Sequence, residues 1–279
     1  MSSLLERMDR LQIAENSLVF LGLGQVGVAI RGPWETIYID PYLTYNDGNG
    51  GRLDRLFPPP IDPHEIANAA VVLVTHAHID HFDPQTLAPI AAASPQALFV
   101  GPHSCDFIEA GIPAERTVVP PTLKPLSIAS ATVTPIPSAH TELDRSEEGY
   151  PYFGYVIEWN GVTLYHAGDT VIYDQHQPSA TPGLLDTLGN WSIDVMFIPI
   201  NGRGYFRTAQ GLKGNTDARE AAVLAETLDV KLVVPTHYDL LAGNGANPAH
   251  FVDIVYRLNP SRRHHLLRPG ELLCYVGGN

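Results

Sequence analysis

Thr75-His76-Ala77-His78-Ile79-Asp80-His81-Phe82-Asp83 places three imidazoles and a carboxylate within six residues. The apolar run Val71-Val72-Leu73-Val74 precedes it and reads as a buried strand. Asp83-Pro84 follows and reads as the N-cap and first residue of a helix spanning Pro84 to Ala93, which Pro89 is expected to kink or shorten. The cluster therefore lies at a strand's carboxyl end, where a short loop can aim several side chains at one point. Neutral imidazole suits zinc and similar divalent ions, and the carboxylate admits harder ions such as manganese. A lone histidine is ordinarily a satisfied structural residue; this spacing is a metal-binding pattern.

Working outward, three more candidate ligands share one context, each following a β-run directly. His140 follows Thr134 to Ala139, Asp169 follows the second arm of a hairpin, and His237 follows Lys231 to Pro235. The hairpin is the clearest turn signal in the chain. Tyr152 to Trp159 and Val162 to His166 flank Asn160-Gly161, a pair suited to a two-residue turn.

With 279 residues, 44% apolar and 17% charged, the chain is long enough for one large core and reads as a single domain over 1–279, with 1–16 as an amphipathic lead-in. The formal charge of −13 argues against a nucleic-acid partner, which needs clustered Lys and Arg. Cys105 and Cys274 make no disulfide framework, the N-terminal stretch lacks a signal-peptide core, and no apolar run is long enough for a membrane span. A cytoplasmic protein acting on a small molecule, without membrane attachment and with a homo-oligomer left open, is the expectation.

Gly22-Leu23-Gly24-Gln25-Val26-Gly27 matches the G-x-G-x-x-G of dinucleotide sites, but that fingerprint needs a helix immediately after the glycines. Val28 to Arg31 runs instead into Gly32-Pro33 and another strand, Thr36 to Ile39, so the glycines are read as turn or bulge positions in a β-hairpin. Residues 43–60 form a Gly- and Pro-rich loop long enough to serve as an active-site rim. Further on, Ala97 to Val100 reads as a strand, Pro102 to Ala110 as a helix stopped by Gly111, Val195 to Ile200 as a buried strand, Asp217 to Leu228 as a helix, and Asn247-Pro248 as the cap of a last one ending at Leu258. Two short strands around Pro269-Gly270 close the chain.

The motif His76-x-His78-x-Asp80-His81 resembles that of the metallo-β-lactamase superfamily. Phe99-Val100-Gly101-Pro102, Gly111 to Arg116, Leu164 to Asp169 and Val233 to Asp239 are similar to segments of its L-ascorbate-6-phosphate lactonase group. The resemblance implies an α+β fold, a four-layer αβ/βα sandwich of two mixed sheets with helices outside and metals at one sheet edge. It implies two divalent ions, Mn2+ or Zn2+, with His76, His78 and His140 on one, Asp80, His81 and His237 on the other, and Asp169 bridging. Such a pair lowers the pKa of a shared water from ~15.7 towards ~7, and Asp80 would orient the resulting hydroxide as the catalytic carboxylate. His166, Asp83 and Asp239 are read as supporting residues. The implied activity is a metal-dependent hydrolase opening a lactone or cleaving an ester of a small sugar-like substrate, phosphorylated or not. The alternative is a phosphodiesterase acting on a nucleotide or phospholipid. A diiron oxidoreductase of the superfamily is a minor reading, since glutamate ordinarily stands there where His78 stands. Asn201 and Arg203, at the end of a buried strand, are expected to meet the substrate, and an arginine fork suits carboxylate or phosphate oxygens. For Arg203 a pairing with a structural carboxylate stays open.

Overall fold

The computed structural model describes residues 3–173, 181–209 and 211–278. Within the lead-in, α1 (Leu4–Asp9) forms because Ser3 and Glu6 complete a reciprocal capping box, and it buries Leu5 and Met8. Residues 1 and 2 of the lead-in lie outside the described residues.

Two seven-stranded sheets follow. The first consists of β1 (Ser17–Gly24), β2 (Gly27–Arg31), β3 (Thr36–Ile39), β4 (Ala69–Leu73), β5 (Leu98–Val100), β6 (Thr117–Val118) and, from the chain's end, β14 (Leu272–Val276), in the order β14-β1-β2-β3-β4-β5-β6. The second holds β7 (Leu126–Ile128), β8 (Ala131–Pro137), β9 (Phe153–Trp159), β10 (Val162–His166), β11 (Val195–Pro199), β12 (Leu232–Thr236) and β13 (Arg263–His264), in the order β13-β12-β11-β10-β9-β8-β7. Both are mixed. Pairing is antiparallel from β14 to β3 and parallel from β3 to β6; in the second sheet it is antiparallel from β7 to β10 and parallel from β10 to β13.

The period-two alternation of strands decides which residues lie between the sheets. Leu18, Phe20, Ile37, Ile39, Val71 and Leu73 share one core with the second sheet, where Phe20 meets Phe197 edge to face at 5.2 Å. Their neighbours Leu21, Tyr38 and Val72 face outward and are covered by α1 and by α2 (Pro84–Ala93). Over the second sheet lie α5 (Ala218–Thr227), capped by Asp217, and α6 (Pro248–Leu258), capped by Asn247, whose buried stripes join the central core. The expected architecture, two mixed sheets with helices outside, is what the chain adopts.

Most elements fall where the sequence puts them, and α2 runs its full expected length. Pro89 removes one donor from α2 without ending it. Pro102 to Ala110 is a series of turns and not a helix, because Cys105 and Phe107 bond back only three and two residues, to Pro102 and Cys105. Two short helices, α3 (Leu184–Leu188) and α4 (Tyr205–Ala209), occupy stretches to which the sequence assigns no element, too short to show a periodicity. No helix among the described residues is long and apolar enough to cross a membrane.

The glycine-rich segment is a hairpin. β1 pairs antiparallel with β2, the register shifts between Gly22 and Gly24 (φ +92°), and Gln25 (φ +57°) and Val26 make the turn. A Cβ on Gly24 would lie 2.6 Å from the Phe57 ring, so the glycine there serves backbone geometry and close packing.

Candidate metal centre

β4 and its continuation through Val74 and Thr75 deliver the histidine-rich turn to the edge of the first sheet. There His81 and Phe82 bond back to the His78 carbonyl, folding the motif over itself. The second sheet contributes from three separate strand exits: His140 beyond β8, Asp169 beyond β10 and His237 beyond β12. All seven predicted ligands converge. His76, His78, His140 and Asp169 form one group and Asp80, His81 and His237 another; within each, the candidate ligand atoms lie within 4.8 Å of one another.

Asp169 faces both groups. Its Oδ2 is 3.2 Å from His140 Nε2, while its Oδ1 is 3.4 Å from His81 Nε2 and 3.3 Å from His237 Nε2. His76 Nε2 and His78 Nδ1 point at each other across 2.8 Å. His81 Nε2 and Asp169 Oδ1 are buried and make no hydrogen bond among the described residues. Buried polar atoms without partners are costly, and a cation between these nitrogens and oxygens would satisfy them. The donor set fits divalent ions.

The surroundings orient the rings. Asp40, completely buried, accepts from Thr75 N at 2.8 Å and from Thr75 Oγ1 at 2.7 Å, and it lies 2.8 Å from His81 Nδ1. With Nδ1–H donated to Asp40, His81 presents a bare Nε2 to the cluster. His140 Nδ1 faces the Gly214 carbonyl at 3.3 Å, which leaves its Nε2 for Asp169. Gln25, on the tip of the β1–β2 hairpin, donates from Nε2 to Asp80 Oδ2 at 2.7 Å, and its carbonyl accepts from His237 N at 2.9 Å. Gln25, Asp40 and His237 all have positive φ, at 57°, 44° and 58°. Three side-chain-bearing residues held in this disfavoured region around one cluster mark a site whose geometry the surrounding fold enforces.

Burial and mutual charge set the protonation. Burial, with His81 nearby, holds His76 well below the usual imidazole range, and burial with His140 and His81 pushes His78 down to about 4. Burial also opposes charge on His81 and His237, but Asp169 and Asp80 outweigh it and raise both. The same imidazoles keep Asp80 and Asp169 below the ordinary carboxylate range despite their burial. The cluster thus holds ionised carboxylates against rings that bind either protons or cations.

The supporting residues divide. Asp83 caps α2 and accepts from Thr44, Asn46 and Thr86, tying the 43–60 loop to the motif. His166 lies 2.9 Å from the Val26 carbonyl, and Asp239 accepts from Gln25 N at 3.1 Å, so both brace the hairpin beneath the site. Asn201 is buried and bonded to Asn244 and Asn215, and exposed Arg203 pairs with Glu220, which completes the capping box of α5 with Asp217. For Arg203 this is the structural carboxylate left open in its sequence reading. Neither Gln25 nor Asp40 was read from the sequence as part of the metal centre. The positive φ that a glycine-flanked turn demands is the one local signal at Gln25, and neither residue's partner lies near it in the chain.

A sandwich of two mixed sheets with a His/Asp cluster at their shared edge defines a metallo-β-lactamase-type protein. The Beta-lactamase superfamily domain model matches residues 35–238, and the chain belongs to that family. Among its relatives, a UPF0173 metal-dependent hydrolase of Thermococcus onnurineus is 29% identical over 252 residues, covering 90% of this chain and 96% of the relative. Among solved structures, Igni18, a novel metallo hydrolase from Ignicoccus hospitalis, superposes with a TM-score of 0.68 at 20% identity, covering 94% of this chain and all of that one. CmlA, a diiron beta-hydroxylase from Streptomyces venezuelae, gives 0.65 at 17% identity over 94% of this chain and 54% of its own. The fold therefore hosts different chemistries, and the reaction has to be argued from the site.

Proposed function

We propose that the chain is a metal-dependent hydrolase of small molecules whose two ligand groups share Asp169. The observation that carries this reading is the division of that carboxylate, with Oδ2 toward His140 and Oδ1 toward His81 and His237. His76, His78 and His140 would hold one ion, Asp80, His81 and His237 the other, and Asp169 both. Divalent ions so held lower the pKa of a bound water towards ~7 and polarise the oxygen of the bond under attack.

The chain's own residues do the rest. Gln25 occupies Asp80 Oδ2, which leaves Oδ1 to accept the proton of an attacking water. Asp40 keeps His81 in the tautomer that turns Nε2 inward. The hairpin tip and the strand exits hold these groups on rigid elements, so little has to reorganise when a substrate arrives. Names of relatives such as the Thermococcus hydrolase agree with hydrolysis. The finer reading, a lactone or ester of a small sugar-like substrate, is supported by the sequence segments similar to the ascorbate-phosphate lactonases.

The test is metal content of protein purified without chelator, followed by initial rates on lactones, carboxylic esters, thioesters and phosphodiesters. Turnover of a lactone or carboxylic ester that chelator abolishes and Mn2+ or Zn2+ restores is expected. Faster turnover of phosphodiesters would replace the ester reading, and metal-replete protein inert towards every hydrolysable substrate would remove the hydrolase.

A further inference from the structure

The phenol of Tyr152 lies over the first ligand group. Its ring centroid is 5.2 Å from that of His76, 5.5 Å from His140 with the planes perpendicular, and 6.1 Å from His78. The backbone fixes it there, because the Tyr152 carbonyl accepts from Ser138 N at 3.0 Å and the next residue, Phe153, donates to the Thr75 carbonyl at 2.9 Å. Tyr152 is thus tied both to the turn that carries His76 and to the strand that leads to His140.

Lys213 reaches the same place from another direction. Its Nζ donates to the Tyr152 hydroxyl at 3.1 Å and lies 5.4 Å from the ring centroid. Its neighbour Gly214 supplies the carbonyl facing His140, Asn215 N donates to Gly202, and Thr216 N donates to Thr170, next to Asp169. The segment bearing Lys213 is anchored to the site residue by residue. No carboxylate pairs with this ammonium among the described residues, whereas Arg203 is engaged by Glu220 and Arg207 donates to Asn244 and Gly245. In a chain of net charge −13, a cation without a carboxylate partner among the described residues, beside a carboxylate-containing cluster, is a specific placement.

We propose that Tyr152 and Lys213 form an anion handle that binds a carboxylate or phosphate group of the substrate and sets the scissile bond over the ligand cluster. Lys213 donates to the Tyr152 oxygen, which leaves the phenolic O–H and the remaining ammonium hydrogens to donate to anionic oxygens. The aromatic edge keeps the ammonium close to one place while exposing its head. The handle rests on the proposed hydrolase, names the chemistry of its substrate, and makes Tyr152 and Lys213 specificity residues that touch the part of the substrate not being cleaved.

The experiment measures binding of inorganic phosphate and of malonate by calorimetry to metal-loaded wild type, Lys213→Ala, Lys213→Arg, Tyr152→Phe and Arg203→Ala, with metal content determined on each sample. Lys213→Ala is expected to weaken at least one anion about tenfold, the loss of one charge-assisted hydrogen bond. Lys213→Arg should recover part of that affinity, Tyr152→Phe should lose less, Arg203→Ala should match wild type, and metal content should be constant throughout. Which anion responds distinguishes a phosphate from a carboxylate substrate. Anion affinity indifferent to Lys213, or one that falls with Arg203 instead, overturns the handle while leaving the metal reading intact. A chain that binds anions through Lys213 but takes up no divalent ion overturns the hydrolase and leaves the handle standing.

Discussion

The two ligand groups are built differently. His76, His78 and His140 face one another at the Tyr152 side of the cluster, and their ring partners are Thr75 Oγ1, 3.0 Å from His76 Nδ1, the Gly214 carbonyl facing His140 Nδ1, and the neighbouring rings. Asp80, His81 and His237 are braced by Asp40, Thr75 and Gln25, with Asp239 holding Gln25 in turn. The second group is therefore held by a carboxylate and an amide remote in sequence, Asp40 and Gln25, and the first by the Thr75 hydroxyl and the Gly214 carbonyl. In the proposed hydrolase the braced group positions the attacking water, and the first group, beside Tyr152 and Lys213, receives the substrate.

Asp80→Asn breaks the contrast most severely, because Asp80 is at once a candidate ligand and the base held by Gln25. Turnover should fall by more than the ~100-fold upper range seen when partners of ligands are removed, with the fold retained. Wild-type rates at unchanged metal content would show that Asp80 does neither job. Asp40→Asn comes next. It removes the charged acceptor facing His81, and metal affinity of the braced group should weaken about 10- to 100-fold, measured by competition with a chromophoric chelator. Equal loss from both groups, resolved as a single transition, would erase the distinction drawn here.

Gln25→Ala probes the brace without touching a ligand. Losing one hydrogen bond to a carboxylate predicts a turnover decrease of about tenfold at full metal content. A fall in metal content of the same size would make Gln25 a structural support of the cluster alone. The smallest effect is expected at the hairpin tip: Gly24→Ala places a Cβ at positive φ against Phe57 and should destabilise by about 1–2 kcal/mol. For a chain of this size that is a drop in Tm of roughly 2–8 °C. Nicotinamide dinucleotides should leave Tm unchanged, whereas a true ligand at a hundred times its Kd adds about 2.7 kcal/mol.

The same contrast explains what could be read from the sequence. Four ligands of one turn are a local pattern, and the strand before it and Asp83 after it carry their own signals. His140, Asp169 and His237 were legible because each ends a β-run, and the resemblance to the metallo-β-lactamase superfamily grouped them with the motif. The braces carry no such mark. Asp40 meets His81 across 41 residues, Gln25 meets Asp80 across 55, and Lys213 meets Tyr152 across 61. Only the order of the strands within each sheet brings them together. Pro102 to Ala110 was misread because its apolar spacing suits a helix while Phe107 is pulled inward against Phe82 and Phe99, holding the segment in turns.

The claim on which all of this depends is that Asp169 joins two ion sites. Metal content by mass spectrometry, on wild type and on Asp169→Ala dialysed against the same Mn2+ or Zn2+ concentration, tests it most directly. Two ions per wild-type chain are expected, one for each group, with both weakened by the substitution. One ion at saturation in the wild type, or two retained in Asp169→Ala, would contradict it.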